Sequence, residues 1–422
     1  MIVGVIGSGG REHAICHALN KSKKIHKIYC FPGNAGTTEL AENINLDLNN
    51  FENIKDFILN KKIELVVIGP EKPLVDGLAD YLENFDIKVF GPNKLAAQLE
   101  GSKIFTKNIC KKYNIPTANF GVFNNIIEAK KFLDNSNFPI VIKADNLAAG
   151  KGVYICENKQ ESIQAVKEIF EGKFGEAKNV LIEEFLKGEE MSFFIISDGI
   201  TFKNFGTAQD HKRVLEGDKG KNTGGMGAYS PAPVVTNQVH KKIMHEVIQP
   251  TIQGLSKEGI NYCGFLYAGL MIDSQQNIKV LEFNCRFGDP ETQPILMRLE
   301  SDLIELCYQA SKRELQQIEL QWNPKVSLGV VMAAGGYPYQ YEKGYTIEGL
   351  PLETENLKVF HAGTKVKDNL IETNGGRVLC VTALGKNTTE AQLNAYNCVE
   401  QIKWKDCFYR TDIGYRAIKR ES

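Results

Sequence analysis

The sequence predicts a multidomain protein of the α/β and α+β classes, and three observations lead to this. First, the chain has 422 residues, which is too long for a single hydrophobic core. Second, short apolar runs alternate with helical patterns over residues 1–101, as they do in a doubly wound parallel sheet. Third, hairpins mix with helices over residues 102–324, and short strands dominate residues 325–422. We therefore expect three domains with these bounds, the last of them small and β-rich.

The first domain is predicted to contain four strands, at residues 2–6, 27–31, 64–69 and 88–91. Helical patterns lie between and after them, near residues 12–23, 53–61 and 74–83. In such a sheet, ligands collect at the carboxyl ends of the strands. The segments GSGGREH, PGNAG and GPE directly follow the first three strands, so we expect a ligand there.

The second domain is predicted to begin with a helix at residues 103–113 and to contain a smaller unit at about 121–190. Asp198-Gly199 is a strong hairpin turn, and residues 274–277 connect a second hairpin. Antiparallel hairpins mixed with helices are typical of the α+β class. Further along the chain, helices are predicted at residues 237–257, from Pro294 to about 313, and near 388–402.

Composition and charge exclude several classes of protein. The formal net charge is −1, so no bulk positive charge favours binding to nucleic acid or to membranes. Ten cysteines without CxxC spacing indicate reduced thiols rather than disulfides or a zinc site. The N-terminus lacks the pattern of a signal peptide, and no apolar run approaches the length of a membrane span. We expect a cytoplasmic protein with no nucleic-acid or membrane partner.

The segment LEFNCRFGDPETQ, at residues 281–293, carries the strongest chemical signal. Side chains on a strand alternate between its faces, so Glu282 and Asn284 share a face, and Arg286 joins them if the strand continues. Glutamate and asparagine supply the hard oxygen ligands that Mg²⁺ accepts, and arginine binds phosphate or carboxylate. The pattern predicts a metal and anion site, and the alternative is a strand with a solvated polar face.

Two glycine-rich loops look like nucleotide-binding motifs but fail the tests for them. GSGGREH lacks the third glycine of the dinucleotide fingerprint, because Glu12 occupies that position. Its backbone amides and Arg11 suit a phosphorylated small molecule instead, the alternative being a plain turn. AAGKG lacks two residues of a P-loop, since Asp145 and Gly152 stand in their places. With Lys143 on the strand before it, this loop suits nucleotide phosphates or is a surface turn.

The run VLIEEFLKGEE and the polar row at residues 210–213 are weaker signals. The run predicts either a solvated acidic rim or a linker whose peptide groups bind adenine. The row suits an anionic cleft, although His211 alone is more typical of a structural residue. No nucleophile elbow and no HExxH motif is present. Together the motifs predict an enzyme that uses Mg²⁺ and ATP for phosphoryl chemistry, with its acceptor undetermined.

Nine motifs stand in order over nearly the whole chain, namely GSGGREHA, PGNAGT, GPE, KADNLAAGKGV, IEEFLKGEE, QDHKR, NTGGMGAYSPAP, LEFNCRFGDPETQ and AAGGYP. Together they resemble the phosphoribosylamine–glycine ligase family of the ATP-grasp superfamily. The resemblance implies an N-terminal α/β domain, an ATP-grasp core with a mobile B subdomain at about 121–190, and a small C-terminal domain. It also implies that ATP activates glycine as glycyl phosphate, which 5-phosphoribosylamine then captures, with no covalent nucleophile from the protein.

The resemblance further implies roles for individual residues. ATP would be held by Lys103, Lys143, Ala148, Ala149, Gly150, Lys151, Gly152, Glu183, Glu184, Phe185, Leu186 and Glu189. The metal ion, Mg²⁺ or Mn²⁺, would be held by Glu282 and Asn284. Phosphoribosylamine would be recognised by Gly9, Gly10, Arg11, Glu12, His13, Asn34, Gly36, Gly69, Pro70 and Glu71. Arg286 would stabilise the transferred phosphoryl group or the acyl phosphate, and the residues orienting glycine and the amine would be Asp210, Asp289 and Glu291.

One residue departs from the family pattern, and two other interpretations remain open. Asn146 stands where the family usually has glycine; asparagine tolerates a left-handed backbone better than most residues, so we expect the loop to persist. Another ATP-grasp carboxylate–amine ligase is the nearest alternative, such as one from later purine steps or biotin carboxylation. A nucleotide-binding scaffold or regulatory protein is the second. We expect a monomer with one activity and small-molecule partners only.

Overall fold

The computed structural model describes residues 1–145, 152–175 and 177–421. Its N-terminal strands are β1 (Ile2–Gly7), β2 (Lys27–Pro32), β3 (Glu42–Asn43), β4 (Leu65–Ile68) and β5 (Val89–Phe90). They form one parallel sheet in the order β3-β2-β1-β4-β5, which confirms the predicted doubly wound sheet; β3 has no predicted counterpart. Because the strand order reverses at β1, the loops after β1 and β4 face one crevice.

The helices of this region explain one wrong prediction. They are α1 (Gly10–Asn20), α2 (Phe51–Lys61), α3 (Glu71–Asp76), α4 (Leu78–Glu83) and α5 (Gln98–Gly101), followed by α6 (Lys103–Lys112). The single helix predicted near residues 74–83 is wrong, because Gly77 separates α3 from α4. Its φ of 98° lies in the left-handed region, which glycine adopts without strain.

A small antiparallel sheet occupies residues 120–184. Its strands are β6 (Phe120–Phe123), β7 (Ile140–Ala144), β8 (Val153–Cys156) and β9 (Val180–Glu184), in the order β6-β9-β7-β8. The helices α7 (Ile126–Asp134) and α8 (Lys159–Phe170) pack against each other and against this sheet. Ile140 and Ile142 lie in the core with these helices, so Lys143 falls on the opposite face of β7.

The largest element is an eight-stranded antiparallel sheet. The eight strands of this sheet are β10 (Glu189–Asp198), β11 (Phe202–Asp210), β14 (Gly227–Ser230), β15 (Cys263–Ile272), β16 (Ile278–Asn284), β17 (Val326–Ala333), β18 (Leu357–His361) and β21 (Arg377–Gly385). Two short hairpins lie beside it and consist of β12 (Arg213–Leu215), β13 (Lys219–Asn222), β19 (Thr364–Lys367) and β20 (Leu370–Thr373). The order is β16-β15-β10-β11-β14-β17-β21-β18, with β12–β13 and β19–β20 as separate pairs. The pairing of β14 with β17 carries this sheet across residue 324, and both predicted hairpins are present.

The remaining helices surround this sheet. They are α9 (Asn237–Lys242), a π-helical segment (Ile243–Ile248) that continues into α10 (Gln249–Lys257), α11 (Thr292–Arg298), α12 (Leu303–Ser311), α13 (Thr388–Val399) and α14 (Tyr415–Glu421). The continuous helix predicted from Pro294 to about 313 is wrong. Leu299 leaves α11 to form a β-bridge with Trp322, and Asp302 then caps α12 by accepting from the N–H of Ile304. None of the described helices has the length and apolar character needed to cross a membrane.

The N-terminal loops meet the C-terminal strand β18 at buried histidines. Nδ1 of His13 accepts a hydrogen bond from the N–H of His361 (2.8 Å), and Nδ2 of Asn34 donates to the carbonyl of His361 (2.8 Å). The rings of His13 and His17 pack edge-on against Phe360, with centroid distances of 5.5 and 5.8 Å. The loops after β1 and β2 are therefore fixed by a strand more than 300 residues away, since the donor–acceptor pair of His13 and His361 spans 348 residues.

This interface is expected to lose stability in acid. Burial lowers the pKa of His13, lowers that of His17 to about 3 and lowers that of His361 to about 4. The unfolded chain takes up these protons near pH 6.5, so below that pH it binds more protons than the folded protein and is stabilised relative to it. At about 1.4 kcal/mol per pKa unit, His361 alone would lower the free energy of unfolding by about 3 kcal/mol between pH 7 and 4.

Urea unfolding at a series of pH values measures this effect. The variant His17→Phe keeps an aromatic ring beside Phe360 but removes one of the titrating groups. We expect its free energy of unfolding to fall less steeply than that of the unsubstituted protein as the pH drops from 7 to 4. If the free energy of unfolding fell equally steeply with pH in the two proteins, the role of buried His17 in this acid sensitivity would be contradicted.

Candidate active site

Glu12 holds the loop after β1 in place. Its carboxylate accepts hydrogen bonds from the N–H of Gly9 and from Nε of Arg11, each at 2.6 Å. A Cβ atom at Gly69 would lie 2.1 Å from Oε1 of Glu12, so the loop after β4 packs directly on this carboxylate. Glu12, which occupies the position of the third glycine in the dinucleotide fingerprint, thus connects the two predicted ligand loops after β1 and β4.

The second loop is ordered in the same way. Oδ1 of Asn34 accepts from the N–H of Gly36 (2.9 Å), and a Cβ at Gly36 would lie 2.2 Å from the ring of His13. A Cβ at Gly10 would lie 2.5 Å from Nε2 of Gln293, so the start of α1 packs on α11. The side chains predicted to recognise substrate here are engaged within the protein, and so are the backbone amides of Gly9 and Gly36.

Arg286 lies between two carboxylates, outside the strand, because β16 ends at Asn284. Its Nη2 donates to Oε1 of Glu100 (2.7 Å), and its Nε is 3.3 Å from Oε2 of Glu71. Burial raises the pKa of Glu71, but the charges of Arg286 and Arg11 outweigh burial and lower it to about 2. Arg286 and Glu71, which were predicted to bind different substrates, therefore form an ion pair. Glu71 is the first residue of α3 and directly follows its N-cap residue, Pro70.

A β-bulge interrupts β16 at Leu281. Glu282 pairs with Gly269 and Val280 with Leu270, which leaves Leu281 without a partner on β15. A bulge of this kind adds one residue and moves every later side chain to the other face of the strand.

The bulge decides which residues face solvent. Ile278 and Val280 are buried before it, whereas Phe283 is buried after it and Glu282 and Asn284 are partly exposed. Strict alternation from Ile278 would have placed Glu282 in the core. The predicted sharing of one face by Glu282 and Asn284 agrees with the structure, and the bulge directs that face into the space bounded by β16, β7 and the start of α6, which we call the cleft.

Three lysines act on Glu282 in the cleft. Nζ of Lys212 is 3.7 Å from Oε1 of Glu282. Burial raises the pKa of Glu282, but the charges of Lys212, Lys143 and Lys103 outweigh burial and lower it. An ionised carboxylate and an amide oxygen two residues apart on one face match the donors that Mg²⁺ takes together with phosphates and water.

Glu183 anchors two lysines below the cleft. Its Oε2 is 2.9 Å from Nζ of Lys143, and its Oε1 is 3.1 Å from Nζ of Lys107. Lys143 also donates to the carbonyl of the bulged Leu281 (3.3 Å). Glu183, predicted to line an adenine pocket, is 3% exposed and positions Lys143 beside β16.

The predicted phosphate loop lies mostly outside the described residues, since these do not include Asn146, Ala148, Ala149, Gly150 and Lys151. Both ends of the loop are described. Oδ1 of Asp145 accepts from Oγ of Ser102 (3.0 Å) and from the N–H of Ile104 (3.1 Å), and the carbonyl of Gly152 accepts from the N–H of Ala144 (2.9 Å). These contacts tie the start of the loop to the start of α6, where Lys103 stands.

The linker at residues 185–188 joins the small sheet to β10. Within the described part of the chain, neither of its first two residues makes a backbone hydrogen bond, and both are partly buried. The flanking carboxylates are paired, Glu184 with Lys279 and Glu189 with Arg420. The carboxylates beside the linker are thus engaged, whereas the peptide groups of Phe185 and Leu186 have no backbone partner among the described residues.

Asp210, the partly buried last residue of β11, and Glu291, the buried N-cap residue of α11, form an acidic pair. Glu291 accepts a hydrogen bond from Oγ of Ser192 (3.0 Å), whereas Oδ1 of Asp210 is buried without a partner among the described residues. Burial raises the pKa of Asp210 well above its usual value, and the charge of Glu291 raises it further. Burial also raises the pKa of Glu291. Such a pair suits a cationic amine or a shared proton.

Asp289 lies between the loop after β1 and the C-terminal strands. Its Oδ1 accepts from Nε2 of Gln293 (3.0 Å), and its Oδ2 is 3.4 Å from Nη2 of Arg377. Burial raises the pKa of Asp289, but Arg377 and Arg11 outweigh burial and lower it. Oδ2 also lies 3.4 Å from the position that a Cβ at Gly9 would take.

Sequence reasoning missed several charged residues that the fold brings to this region, namely Lys212, Glu190, Glu100 and Arg377. Lys212 forms an ion pair with Glu190 as well as approaching Glu282. Lys212 belongs to the polar row at residues 210–213, which predicted an anionic cleft, and Glu190 ends the run VLIEEFLKGEE, which predicted an acidic rim or an adenine-binding linker. Glu100 and Arg377 belong to no motif, and only the fold identifies them.

Three family matches cover most of the chain. They are phosphoribosylglycinamide synthetase N domain at residues 1–100, ATP-grasp (A) domain at 101–292 and C domain at 327–416. The chain belongs to the phosphoribosylglycinamide synthetase family. Membership confirms the resemblance carried by the nine motifs. The central domain is of the ATP-grasp type, so the family member described here uses ATP and a divalent metal ion.

Individual members of the family agree over the full length. A phosphoribosylamine–glycine ligase of Escherichia coli (strain K12) is 52% identical over 427 residues, covering 100% of both chains. One of Vibrio vulnificus (strain CMCP6) is 52% identical over 426 residues, covering 100% of this chain and 99% of the relative.

Solved structures agree with the fold. The crystal structure of phosphoribosylamine–glycine ligase from Thermotoga maritima has a TM-score of 0.85 at 36% identity, covering 98% of this chain and 100% of that one. The biotin carboxylase domain of Hydrogenobacter thermophilus 2-oxoglutarate carboxylase has a TM-score of 0.74 at 17% identity, covering 96% of this chain and 91% of that one. The second likeness concerns the fold alone.

Proposed function

We propose that the chain joins glycine to 5-phosphoribosylamine, converting ATP to ADP and phosphate and forming glycinamide ribonucleotide in de novo purine synthesis. The observation that carries this proposal is the cleft face of β16. There, Glu282 is kept ionised by three lysines and stands beside Asn284, while the turn after β16 reaches the loops of the N-terminal crevice. Relatives named phosphoribosylamine–glycine ligase match the whole chain, which supports the same reaction.

ATP is proposed to lie in the cleft. The peptide groups of Glu184, Phe185 and Leu186 would meet adenine, with Glu183 below them and Glu189 near the ribose. Lys103 and Lys143 would neutralise the phosphates, and the loop at residues 148–152 would close over them. Glu282 and Asn284 would hold Mg²⁺ or Mn²⁺, which would neutralise phosphate charge and polarise the transferred phosphoryl group.

Phosphoryl transfer comes first in the proposed reaction. The glycine carboxylate attacks the γ-phosphorus, the bond to the bridging oxygen breaks, and glycyl phosphate and ADP form. Arg286 is assigned to the transferred phosphoryl group or the acyl phosphate. Its ion pairs with Glu71 and Glu100 hold the guanidinium in one orientation. This supports the assignment, because a positive charge that is already in place stabilises the transferred group without further rearrangement.

Amine capture follows. The amine of phosphoribosylamine attacks the acyl carbon, phosphate leaves with the bonding electrons, and the nitrogen loses a proton. Asp210, Asp289 and Glu291 are assigned to orienting glycine and this amine. Among the residues that the structure describes, Oδ1 of Asp210 is buried without a partner, and this supports the assignment because such an oxygen favours binding of an N–H group.

Phosphoribosylamine is proposed to bind in the crevice beside β1, where the strand order reverses. Backbone amides at the start of α1 suit its phosphate, since a helix N-terminus favours an anion. The residues assigned to this substrate come from three loops and are Gly9, Gly10, Arg11, Glu12, His13, Asn34, Gly36, Gly69, Pro70 and Glu71. Their close packing on one another supports a single preformed site.

The remaining assignments are proposals on the same basis. We propose an N-terminal domain at residues 1–101, an ATP-grasp domain at 102–324 with its B subdomain at about 121–190, and a C-terminal domain at 325–422. We also propose a cytoplasmic monomer whose partners are the small-molecule substrates alone, with no nucleic acid or membrane.

The proposed reaction is tested by measuring ADP release with glycine and phosphoribosylamine each present or omitted. Full release is expected only with both substrates and a divalent cation. Equal release with other carboxylate and amine pairs would indicate a different ATP-grasp ligase. A complete lack of glycine-dependent release would favour a nucleotide-binding protein without turnover.

A further inference from the structure

Arg377, the first residue of β21, reaches from the C-terminal strands to the turn after β16. Its Nη1 donates hydrogen bonds to the carbonyls of Asp289 (2.7 Å) and Gly224, and its Nη2 is 3.4 Å from Oδ2 of Asp289. Only 21% of the side chain is exposed. The residue lies outside every motif that carries the family resemblance.

The guanidinium lies against a glycine-rich segment that approaches it without a side chain. A Cβ at Gly224 would lie 2.9 Å from Cζ of Arg377. A Cβ at Gly225 would lie 2.4 Å from Cδ of Pro290 and 2.6 Å from Oδ1 of Asp210. The segment is therefore enclosed by Arg377, the turn that carries Pro290, and the acidic pair, and it belongs to no helix or strand.

The contacts of Arg377 are with residues on the side of the site that is proposed to bind phosphoribosylamine. Asp289, which it holds, lies against the loop of Gly9 on the phosphoribosylamine side. Lys143 and Glu282, on the ATP side, make their contacts with Glu183, Leu281 and Lys212 instead. A defect at Arg377 should therefore affect the amine more than the nucleotide.

We propose that Arg377 is a positioning residue for amine capture, which fixes Asp289 and Gly224 so that the phosphoribosylamine loop stays aligned with activated glycine. This inference rests on the proposed function. The planar fork of arginine binds two carbonyls and a carboxylate at once, which the single ammonium of lysine does not reproduce. Misalignment by about 1 Å slows a reaction between bound groups by about 10²-fold. Glycyl phosphate would then react with water, returning glycine and phosphate while ATP is consumed.

The test compares Arg377→Met and Arg377→Lys with a matched control, Arg298→Met. Arg298 is also an arginine that binds backbone carbonyls, those of Lys325 (2.7 Å) and Asn323 (3.3 Å), and among the described residues its hydrogen bonds, including one to Oγ of Ser230 (3.1 Å), go to residues outside the turn. Each protein is assayed for the KM of ATP, the KM of phosphoribosylamine, the ratio of ADP released to product formed, and the midpoint of thermal unfolding.

For Arg377→Met we expect a rise of about 10²-fold in the KM of phosphoribosylamine or an equal fall in the rate of capture. The ratio of ADP to product should rise above one, the KM of ATP should stay within about two-fold, and Arg377→Lys should be intermediate. Arg298→Met should lower the thermal midpoint with the ratio still at one.

Two results would overturn the proposal. One is an Arg377→Met protein whose ratio stays at one with both KM values unchanged. The other is a uniform loss of activity in both Arg377 variants that follows the thermal midpoint, as in the control. If the unsubstituted protein itself releases no ADP with glycine, the proposed function fails, which is a different outcome.

Discussion

Replacing Glu282 by alanine is expected to reduce turnover by on the order of 10²–10³-fold while leaving the protein folded. The carboxylate is ionised, faces the cleft after the Leu281 bulge and, with Asn284, offers the only pair of oxygen donors that we assign to the metal ion. Its removal takes away a ligand and leaves the charge of Lys212 balanced by Glu190. Because the side chain is 42% exposed, the loss of stability should be small.

The measurement is a titration of turnover with Mg²⁺ and with Mn²⁺. Glu282→Ala should need a much higher concentration of either ion for half-maximal rate. Glu305→Ala is a matched control, because Glu305 is also a partly exposed carboxylate paired with a lysine, Lys24. Near-normal turnover of Glu282→Ala at limiting Mg²⁺ would contradict the metal assignment.

Replacing Lys143 by methionine is expected to lower kcat/KM for ATP by about 10²-fold, whereas the same change at Lys107 should alter it only slightly. The two lysines share the two oxygens of Glu183, so each variant leaves that buried carboxylate with one partner. Each should therefore lose a similar free energy of unfolding, about 1–3 kcal/mol. Only Lys143 also reaches the bulge on β16 and acts on the charge of Glu282.

Steady-state kinetics with ATP as the varied substrate and urea unfolding of both variants separate the two effects. A large difference in kcat/KM between variants of similar stability would assign phosphate binding to Lys143. Equal kinetic defects in Lys143→Met and Lys107→Met would instead mean that both lysines act only by supporting Glu183.

The sequence predicts the N-terminal sheet well because buried parallel strands are continuous apolar runs, as in β1 and β4. The helix boundaries near Gly77 and Leu299 were missed for two different reasons. Gly77 ends α3 by a local change of φ, which glycine permits but does not require. Leu299 leaves its helix because a distant residue, Trp322, pairs with it, and no local pattern reports that contact.

The candidate site shows a similar division. Period-two spacing correctly placed Glu282 and Asn284 together, but their direction depends on the extra residue at Leu281, which pairing with β15 reveals. Residues with no motif of their own, Glu100 and Arg377, enter the site only through folding, since their partners lie 186 and 88 residues away. Motifs therefore predicted the chemistry of the site, and the fold supplied the groups that orient it.

The pairing of β14 with β17 has a consequence for how this chain can change over time. Gly227–Ser230 is bonded on one edge to β11 and on the other to β17, and Gly225 stands two residues before it, against Asp210. An insertion or deletion in β17 would shift the register of β14 and, through it, the acidic pair. The C-terminal region therefore cannot readily be replaced by the corresponding region of another protein without disturbing the acidic pair. We infer that this region and the ATP-grasp region are constrained to evolve together.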